Sequence, residues 1–195
     1  MKNLTPTEAH TLSKLREESY IQTYSGRKFF PFNPKAEDMD IEDIAHALSN
    51  QCRYSGHCKK FYSVAQHSYL VSFKCHPENA MWGLLHDATE AYFVDVPTPI
   101  KHHIKELNEL ENKIAGVVAI KFDLVYPIPE DVHEADKSMF LIEWSNLMMQ
   151  KEMKDGFAVW TPQHAKKMFL QRYHEILKNE AVYKMLEETS NSENN

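Results

Sequence analysis

The residues best suited to chemistry are the adjacent pair His86-Asp87, which follows the apolar residues Leu84 and Leu85. Both side chains are common metal ligands, and a charged Asp among apolar neighbours is costly unless it is paired or bound to a metal. Neighbouring residues on a helix point about 100° apart, so the two can share one ion only where the helix borders a cavity. The pair therefore indicates a metal site.

Two further residues could complete such a site, because His67 and Asp136 also lie beside apolar residues of predicted helices. Taken singly, His67 is better explained as a hydrogen-bonded core histidine, and Asp136 could be an early-helix charge that interacts with the helix dipole. Taken with the pair, the set of two imidazoles and two carboxylates suits Mn²⁺, Co²⁺, Fe²⁺, Zn²⁺ or Ni²⁺ better than Ca²⁺. Such an ion would keep positions open for water and substrate.

The elements that must position these residues are predicted to be helices, so the fold class is all-α. Only five Gly occur, and apolar residues recur at helical spacing along most of the chain. Asp40, Ser63 and Thr161 stand at the predicted N-caps of three helices, and Pro162 suits a first helical position. The helix that carries the pair is predicted to begin near Pro77.

The chain divides into three predicted parts. Residues 1–19 form a polar N-terminal segment, residues 20–187 form one compact helical domain, and residues 188–195 form a disordered tail rich in Ser, Asn and Glu. Aromatic residues, Gly26 and two prolines within residues 20–40 predict a short irregular or hairpin-like arm at the start of the domain. The 195 residues are enough to bury a sizeable core.

Composition and charge argue against several functions and locations. The net charge of -6 does not suit a binder of nucleic-acid polymers or of membrane surfaces. No apolar run approaches the ~20 residues of a membrane span, and no signal peptide is apparent. Three cysteines (Cys52, Cys58 and Cys75) form no even set, which favours buried thiols in a reducing compartment. The predicted location is cytoplasmic.

The order of the four candidate ligands resembles the HD-domain superfamily of metal-dependent phosphohydrolases. Within it, the chain is similar to the branch of bacterial 5′-deoxynucleotidases and of phage enzymes that remove phosphates from deoxynucleotides, including dATP triphosphohydrolases. The resemblance covers roughly residues 20–175. It is carried by Arg53-Tyr54 with Gly56, by residues 62–68, by residues 84–101 and by Glu134-Ala135-Asp136.

The resemblance implies a compact HD-domain fold in which all four candidate ligands bind one divalent transition metal. It also implies that Glu90, three residues after Asp87, orients or deprotonates the attacking water. Asp95 is implied to help place that water or the substrate sugar. Arg53 is implied to clamp phosphate, for which its guanidinium is well shaped. Without the resemblance, these three residues would be a helix-surface charge, a turn cap and a solvated cation.

Two more residues are candidates for substrate binding. Tyr54 stands where many relatives have Trp, and it could stack on a nucleobase or belong to the core. Lys101 could offset substrate charge, although a solvent-exposed lysine is the simpler interpretation.

The implied activity is hydrolysis of 5′-(deoxy)nucleoside monophosphates by a homo-oligomer, a dimer or higher. One alternative is a triphosphohydrolase such as a dATPase, with a second ion such as Mg²⁺ and further contacts from Arg27-Lys28 or Lys59-Lys60. Another is a non-catalytic, metal-bound nucleotide sensor. The presence of both the implied base and the implied phosphate clamp favours an enzyme.

Overall fold

Helices make up most of the described chain, which confirms the all-α prediction. The structure is a computed structural model that describes residues 18–101, 103–149 and 156–193, with the backbone alone for 183–193, and the single residues Thr7 and Lys14. The predicted N-terminal segment therefore lies almost entirely outside the described residues. The helices are α1 (Ile41–Asn50), α2 (Val64–Val71), α3 (Ala80–Leu85), α4 (Glu90–Phe93), α5 (Thr98–Lys101), α6 (Lys105–Phe122), α7 (Glu130–Glu143), a π-helix (Trp144–Met149) and α8 (Pro162–Glu193).

Local capping explains where several helices begin. The side chain of Asp40 accepts a hydrogen bond from the backbone N–H of Glu42 at the start of α1, and Ser63 accepts from Gln66 N–H at the start of α2. Thr161 accepts from a backbone N–H in the first turn of α8 at 3.3 Å. The three predicted N-caps are thus confirmed.

The arm at the start of the domain is a hairpin, as predicted. Strands β1 (Ile21–Gln22) and β2 (Lys28–Phe29) pair antiparallel, with Ile21 opposite Phe29. In the turn between them, the backbone and hydroxyl of Ser25 donate to the Asp43 carboxylate of α1 at 2.6 and 2.8 Å. Phe29 is fully buried and stacks on Tyr92 at a ring separation of 3.8 Å, so the arm is fastened to the core.

Helix α2 lies at the centre of the domain and packs against α1, α3, α7 and α8. Gln66, His67 and Ser68 of this helix are buried. The Gln66 amide donates to the carbonyl of Ala158 at 2.7 Å and accepts from the N–H of Trp160 at 2.9 Å. The segment that leads into α8 is thereby fixed to the helix that carries His67.

The His86-Asp87 pair lies just beyond α3, on the turn of residues 86–89 that leads into α4. The sequence predicts the pair inside the C-terminal end of one helix, so the regular helix ends earlier than expected.

At the other end of the chain, the backbone of residues 188–193 continues α8, where the sequence predicts a disordered tail. Among the helices of the described residues, none is long and apolar enough to cross a membrane.

The close packing of α3 on α2 predicts opposite effects for two glycine substitutions. A Cβ at Gly83 in α3 would lie 2.8 Å from the Cα of Ser72 and 2.6 Å from the Sγ of Cys75, whereas a Cβ at Gly116 in α6 would meet nothing within 4 Å. We expect Gly83→Ala to lower the free energy of unfolding by roughly 1–3 kcal/mol. Gly116→Ala, its matched control, should raise it by roughly 0.5–1 kcal/mol. Urea denaturation followed by tryptophan fluorescence measures both, and equal effects would contradict the close approach.

Candidate metal centre

Two imidazoles and two carboxylates lie close together where α2, α7 and the turn after α3 come together. His67 Nε2 lies 3.2 Å from His86 Nε2, 3.7 Å from Asp87 Oδ2 and 3.0 Å from Asp136 Oδ1. His86 Nε2 lies 3.3 Å from Asp87 Oδ2 and 3.9 Å from Asp136 Oδ1. His67, His86 and Asp87 thus form one compact group whose ligand atoms lie within 4.8 Å of one another, and Asp136 adjoins this group through the two imidazoles.

These separations match those inside a transition-metal coordination sphere. With bonds of about 2.1 Å, ligand atoms lie about 3.0 Å apart at right angles and about 3.4 Å apart at the tetrahedral angle. The measured distances, 3.0 to 3.9 Å, are close to both values. His67, His86 and Asp87 are therefore spaced as ligands of one ion, and Asp136 could join them after a movement of its side chain.

Hydrogen bonds at the far ring nitrogens decide which atoms face the centre. His67 Nδ1 donates to Glu143 Oε1 at 2.7 Å, and His86 Nδ1 donates to the carbonyl of Gly83 at 2.9 Å. An ionised carboxylate and a carbonyl can only accept, so Nδ1 carries the proton in both rings and Nε2 is the atom that could bind a metal. Metal-binding histidines are commonly oriented in this way. The donor set thus fits a divalent ion that takes nitrogen and oxygen ligands.

Glu143 is absent from the predicted site, yet it holds several of the site's groups in place. Its carboxylate is 0% exposed and accepts a hydrogen bond from the Tyr62 hydroxyl at 2.8 Å as well as from His67. Arg53 Nε lies 3.2 Å from Glu143 Oε2, an ion pair in which the N–H does not point at the oxygen. Glu143 follows Asp136 by two helical turns on α7, and this same-face spacing is the signal that could have identified it.

The charges around the centre shift the pKa values of its groups. Burial and the Arg53 cation lower the pKa of His67, but Glu143 and Asp136 outweigh them and raise it to about 9. Burial raises the pKa of Asp87, but the imidazoles and Arg53 outweigh it and hold that pKa well below its usual range. The pKa of Glu143 is also lowered despite burial, by His67 and Arg53. At neutral pH the carboxylates of Asp87 and Glu143 are therefore ionised. A metal ion that binds here must displace a proton from His67.

Arg53 connects a predicted ligand with Glu143 at the edge of the centre. Its Nη1 lies 3.4 Å from Asp87 Oδ2, and its side chain is only 12% exposed. A guanidinium has five N–H donors, more than these contacts use, so donors remain for an anionic ligand. The predicted clamp is thus next to the ligands and held by two carboxylates.

The backbone after Arg53 is strained. Tyr54, Ser55 and Gly56 have φ values of 56°, 52° and 79°. A left-handed conformation costs a residue other than glycine roughly 1–2 kcal/mol. The Tyr54 hydroxyl donates to Glu143 Oε2 at 3.3 Å, so this turn too is fastened to the buried carboxylate.

Glu90 is buried near the centre, and one of its carboxylate oxygens makes no hydrogen bond within the described residues. It is 5% exposed, and its Oε2 has no hydrogen-bond partner among the described residues. Burial raises its pKa well above the usual value, and the charges of Asp87 and Asp95 raise it further. The pKa of Asp95 is also raised, chiefly by burial. Both predicted catalytic carboxyl groups therefore lie in the electrostatic field of Asp87.

Gln51 fixes the segment between these two carboxyl groups. Its amide donates to the carbonyl of Glu90 at 2.9 Å and accepts from the N–H of Asp95 at 3.2 Å. Val94, within this segment, has a φ of 72°, which a β-branched residue rarely adopts. Such strain costs roughly 1–3 kcal/mol and is common at functional sites.

Lys101 is not the solvent-exposed cation that the sequence favours. Its Nζ donates to Glu111 Oε1 at 2.6 Å, and its side chain is 19% exposed. Its charge lowers the pKa of Glu90 and of Asp95, so it acts on the site while its ammonium group is bound elsewhere. Its contact with a substrate stays a prediction.

Comparison with known proteins places the chain in a family. It is 35% identical to the uncharacterized protein YfdR of Escherichia coli K12 over 175 residues, which cover 81% of this chain and 96% of YfdR. The chain belongs to the YfdR family. It is also 36% identical to the uncharacterized protein RCAP_rcc00048 of Rhodobacter capsulatus over 132 residues, 63% of this chain and 67% of that protein. No family model matches the sequence.

Glu143→Gln should weaken metal binding in this YfdR-family protein although it removes no predicted ligand. The amide keeps the size of the side chain but loses the charge that orients His67 and pairs with Arg53. Loss of such a partner should raise the dissociation constant for Mn²⁺ by about 10- to 100-fold. Electron paramagnetic resonance of free Mn²⁺ measures it.

The control for this experiment is Glu134→Gln, an exposed position on the same helix. It should leave Mn²⁺ binding unchanged. A Glu143→Gln protein with native helix content and an unaltered dissociation constant would contradict the role of Glu143.

Proposed function

We propose that the protein is a divalent-metal-dependent phosphohydrolase whose preferred substrates are 5′-(deoxy)nucleoside monophosphates. The proposal rests on the cluster in which the imidazole Nε2 atoms of His67 and His86 lie 3.0 to 3.9 Å from carboxylate oxygens of Asp87 and Asp136. The resemblance to HD-domain phosphohydrolases supports it, because the converging residues are those that the resemblance implies as ligands. A divalent ion held by these residues would lower the pKa of a bound water and polarise a phosphoryl oxygen.

Arg53 is the group that we assign to phosphate binding. It lies 3.4 Å from the predicted ligand Asp87, so an anion bound at the centre would come within reach of its remaining donors. A planar guanidinium binds phosphate oxygens through two parallel hydrogen bonds and stabilises charge that develops on them. The ion pair with Glu143 keeps it in position for that contact.

Glu90 is the group that we assign to proton transfer. Its unpartnered Oε2 can accept a proton from water, and burial raises its pKa toward the range in which a carboxylate is an effective base. Water attack forms a new P–O bond as the bond to the 5′ oxygen breaks. Glu90 takes the water proton and returns it to the departing oxygen, while Asp95 helps to place the water or the sugar.

An aromatic surface beside Arg53 supports a nucleotide as substrate. The Tyr54 ring lies 6.2 Å from that of Phe140 and 5.9 Å from that of Trp144. Phe140 and Trp144 are both partly exposed. A nucleobase could stack on such a surface while its phosphate reaches Arg53.

The contacts of the arm favour a monophosphate over a triphosphate. A triphosphate carries more charge and needs more cations, for which the sequence suggests Arg27 and Lys28. Arg27 is paired with Asp40 at 3.1 Å, and the Lys28 ammonium lies 4.5 Å from the centre of the Tyr20 ring. Both cations therefore have partners within the protein.

A panel of ribo- and deoxynucleoside mono-, di- and triphosphates, assayed for phosphate release, tests the reaction. We expect turnover of monophosphates that EDTA abolishes and that Mn²⁺ or Co²⁺ restores, because the ion supplies the nucleophile. Asp87→Ala should lose both bound metal and activity, whereas Glu78→Ala, at an exposed position, should keep both.

Other outcomes of that panel would favour one of the alternative functions or exclude the proposal. Pyrophosphate or triphosphate release that needs Mg²⁺ would favour the triphosphohydrolase, and tight nucleotide binding without turnover would favour the sensor. Full activity of the metal-stripped protein would falsify the proposal.

Glu90→Gln should lower the rate of catalysis without lowering metal binding. The amide cannot accept a proton, so kcat should fall by about 10²- to 10⁴-fold. Bound Mn²⁺ should remain, since the four ligands are intact. Glu78→Gln serves as the control and should match the unaltered protein. Near-normal turnover by Glu90→Gln would exclude Glu90 as the base.

A further inference from the structure

Cys52 and Cys58 bring two thiols together beside Arg53. Their Sγ atoms lie 3.3 Å apart, and both residues are half-buried rather than fully buried as the sequence predicts. Cys75 is separate from them, and its thiol donates to the carbonyl of Val71 at 3.3 Å. The pair therefore differs from an isolated core cysteine, because each thiol has a reaction partner within contact distance.

The backbone holds this pair in place. Cys52 forms an antiparallel bridge with Ser63, and the N–H of Lys59 donates to the carbonyl of Leu147 at 3.1 Å. Both ends of the turn between the cysteines are thus fastened to neighbouring elements. The short Sγ–Sγ distance follows from these anchors.

The same turn carries the predicted phosphate clamp. Cys58 Sγ lies 3.7 Å from the carbonyl of Arg53, to which its thiol donates. A disulfide would remove that donor and shorten the Sγ–Sγ distance to about 2.05 Å. The carbonyl of Arg53 would lose this contact, next to Tyr54 and Ser55, whose backbone is already strained.

We propose that Cys52 and Cys58 form a reversible disulfide that shifts Arg53 at the metal centre. The oxidant is a small disulfide such as oxidised glutathione. One protein thiolate attacks it, forms a mixed disulfide and releases one glutathione thiolate. The second protein thiolate then attacks the protein sulfur of the mixed disulfide and releases the other. Two protein thiols lose two electrons and two protons, and one glutathione disulfide is reduced to two thiols.

The surroundings of the pair suit a switch better than a permanent crosslink. In a reducing compartment, which the cysteine count favours, the resting form is the dithiol, and disulfides there are mostly catalytic or redox-sensing. Burial, together with the neighbouring Cys52, raises the pKa of the Cys58 thiol to about 11. Oxidation at neutral pH is therefore slow and needs a sustained rise in oxidant.

The disulfide acts on the metal centre through Arg53, and this part rests on the proposed function. Arg53 Nη1 is 3.4 Å from the predicted ligand Asp87, and Arg53 also pairs with Glu143, which orients His67. Because Arg53 is already in contact with both carboxylates, a displacement weakens these ion pairs and strengthens the attraction of the carboxylates for a cation. The oxidised protein should therefore bind Mn²⁺ more tightly and place phosphate less well.

Peptide mapping of the full-length protein after incubation with oxidised glutathione tests the link itself. Trypsin cleaves after Arg53 and Lys59, so the disulfide should join peptide 36–53 to peptide 54–59. Cys75→Ser should give the same joined peptides, and Cys58→Ser should give none. Absence of the joined peptides, or an equal yield of links to Cys75, would overturn the disulfide.

Mn²⁺ titration of the oxidised and reduced forms, after the small thiols are removed, tests the coupling. Oxidation of the Cys75→Ser variant should lower its dissociation constant for Mn²⁺ at least about threefold and should lower its kcat/KM. Reduction of the disulfide should reverse both changes. Cys58→Ser should respond to neither treatment. A joined peptide with unchanged Mn²⁺ binding and turnover would overturn the control of Arg53. Failure of both forms to bind Mn²⁺ would overturn the proposed function and this coupling, whereas the peptide map alone decides the disulfide.

Discussion

The buried carboxylate of Glu143 is the contact on which the arrangement of the site depends. A charge in the interior costs several kcal/mol unless it is paired and hydrogen-bonded, and here Tyr62, His67, Arg53 and Tyr54 all contact it. These partners come from the turn after α1 and from the region around the start of α2, while Glu143 ends α7. One side chain therefore fixes the orientation of a predicted ligand, the position of the predicted phosphate clamp and a strained turn.

The balance of charge is consistent with two parts of the proposed function, the binding of a divalent cation and proton transfer by Glu90. Asp87, Asp136 and Glu143 all have lowered pKa values and are ionised, and Arg53 supplies one positive charge. With neutral imidazoles, two negative charges remain, and a divalent ion neutralises them. Burial, and after it the charges of Asp87 and Asp95, keep the pKa of Glu90 high. Asp87 thus contributes both to the proposed metal centre and to the raised pKa of Glu90.

Much of the fold could be predicted because its signals are local. An N-cap depends on residues two or three positions away, and the caps at Asp40, Ser63 and Thr161 were all identifiable in this way. The hairpin arm was predicted from Gly26 and its aromatic neighbours. The expected environment of Lys101 was wrong because its partner, Glu111, lies on another helix. Likewise, burial of the cysteines could not be judged before the neighbours of their turn were known.

The sequence by itself determined the helices, their caps and the residue types from which a metal site could be built, because these depend on chemical identity and on neighbours within a few positions. Only the tertiary structure decided that His67, His86 and Asp87 form one group with Asp136 beside it. It also decided that Glu143, 76 residues from His67, orients that imidazole. Contacts over such separations depend on how α2 and α7 pack. A carboxylate near the end of a helix has the same local pattern whether it faces water or the interior.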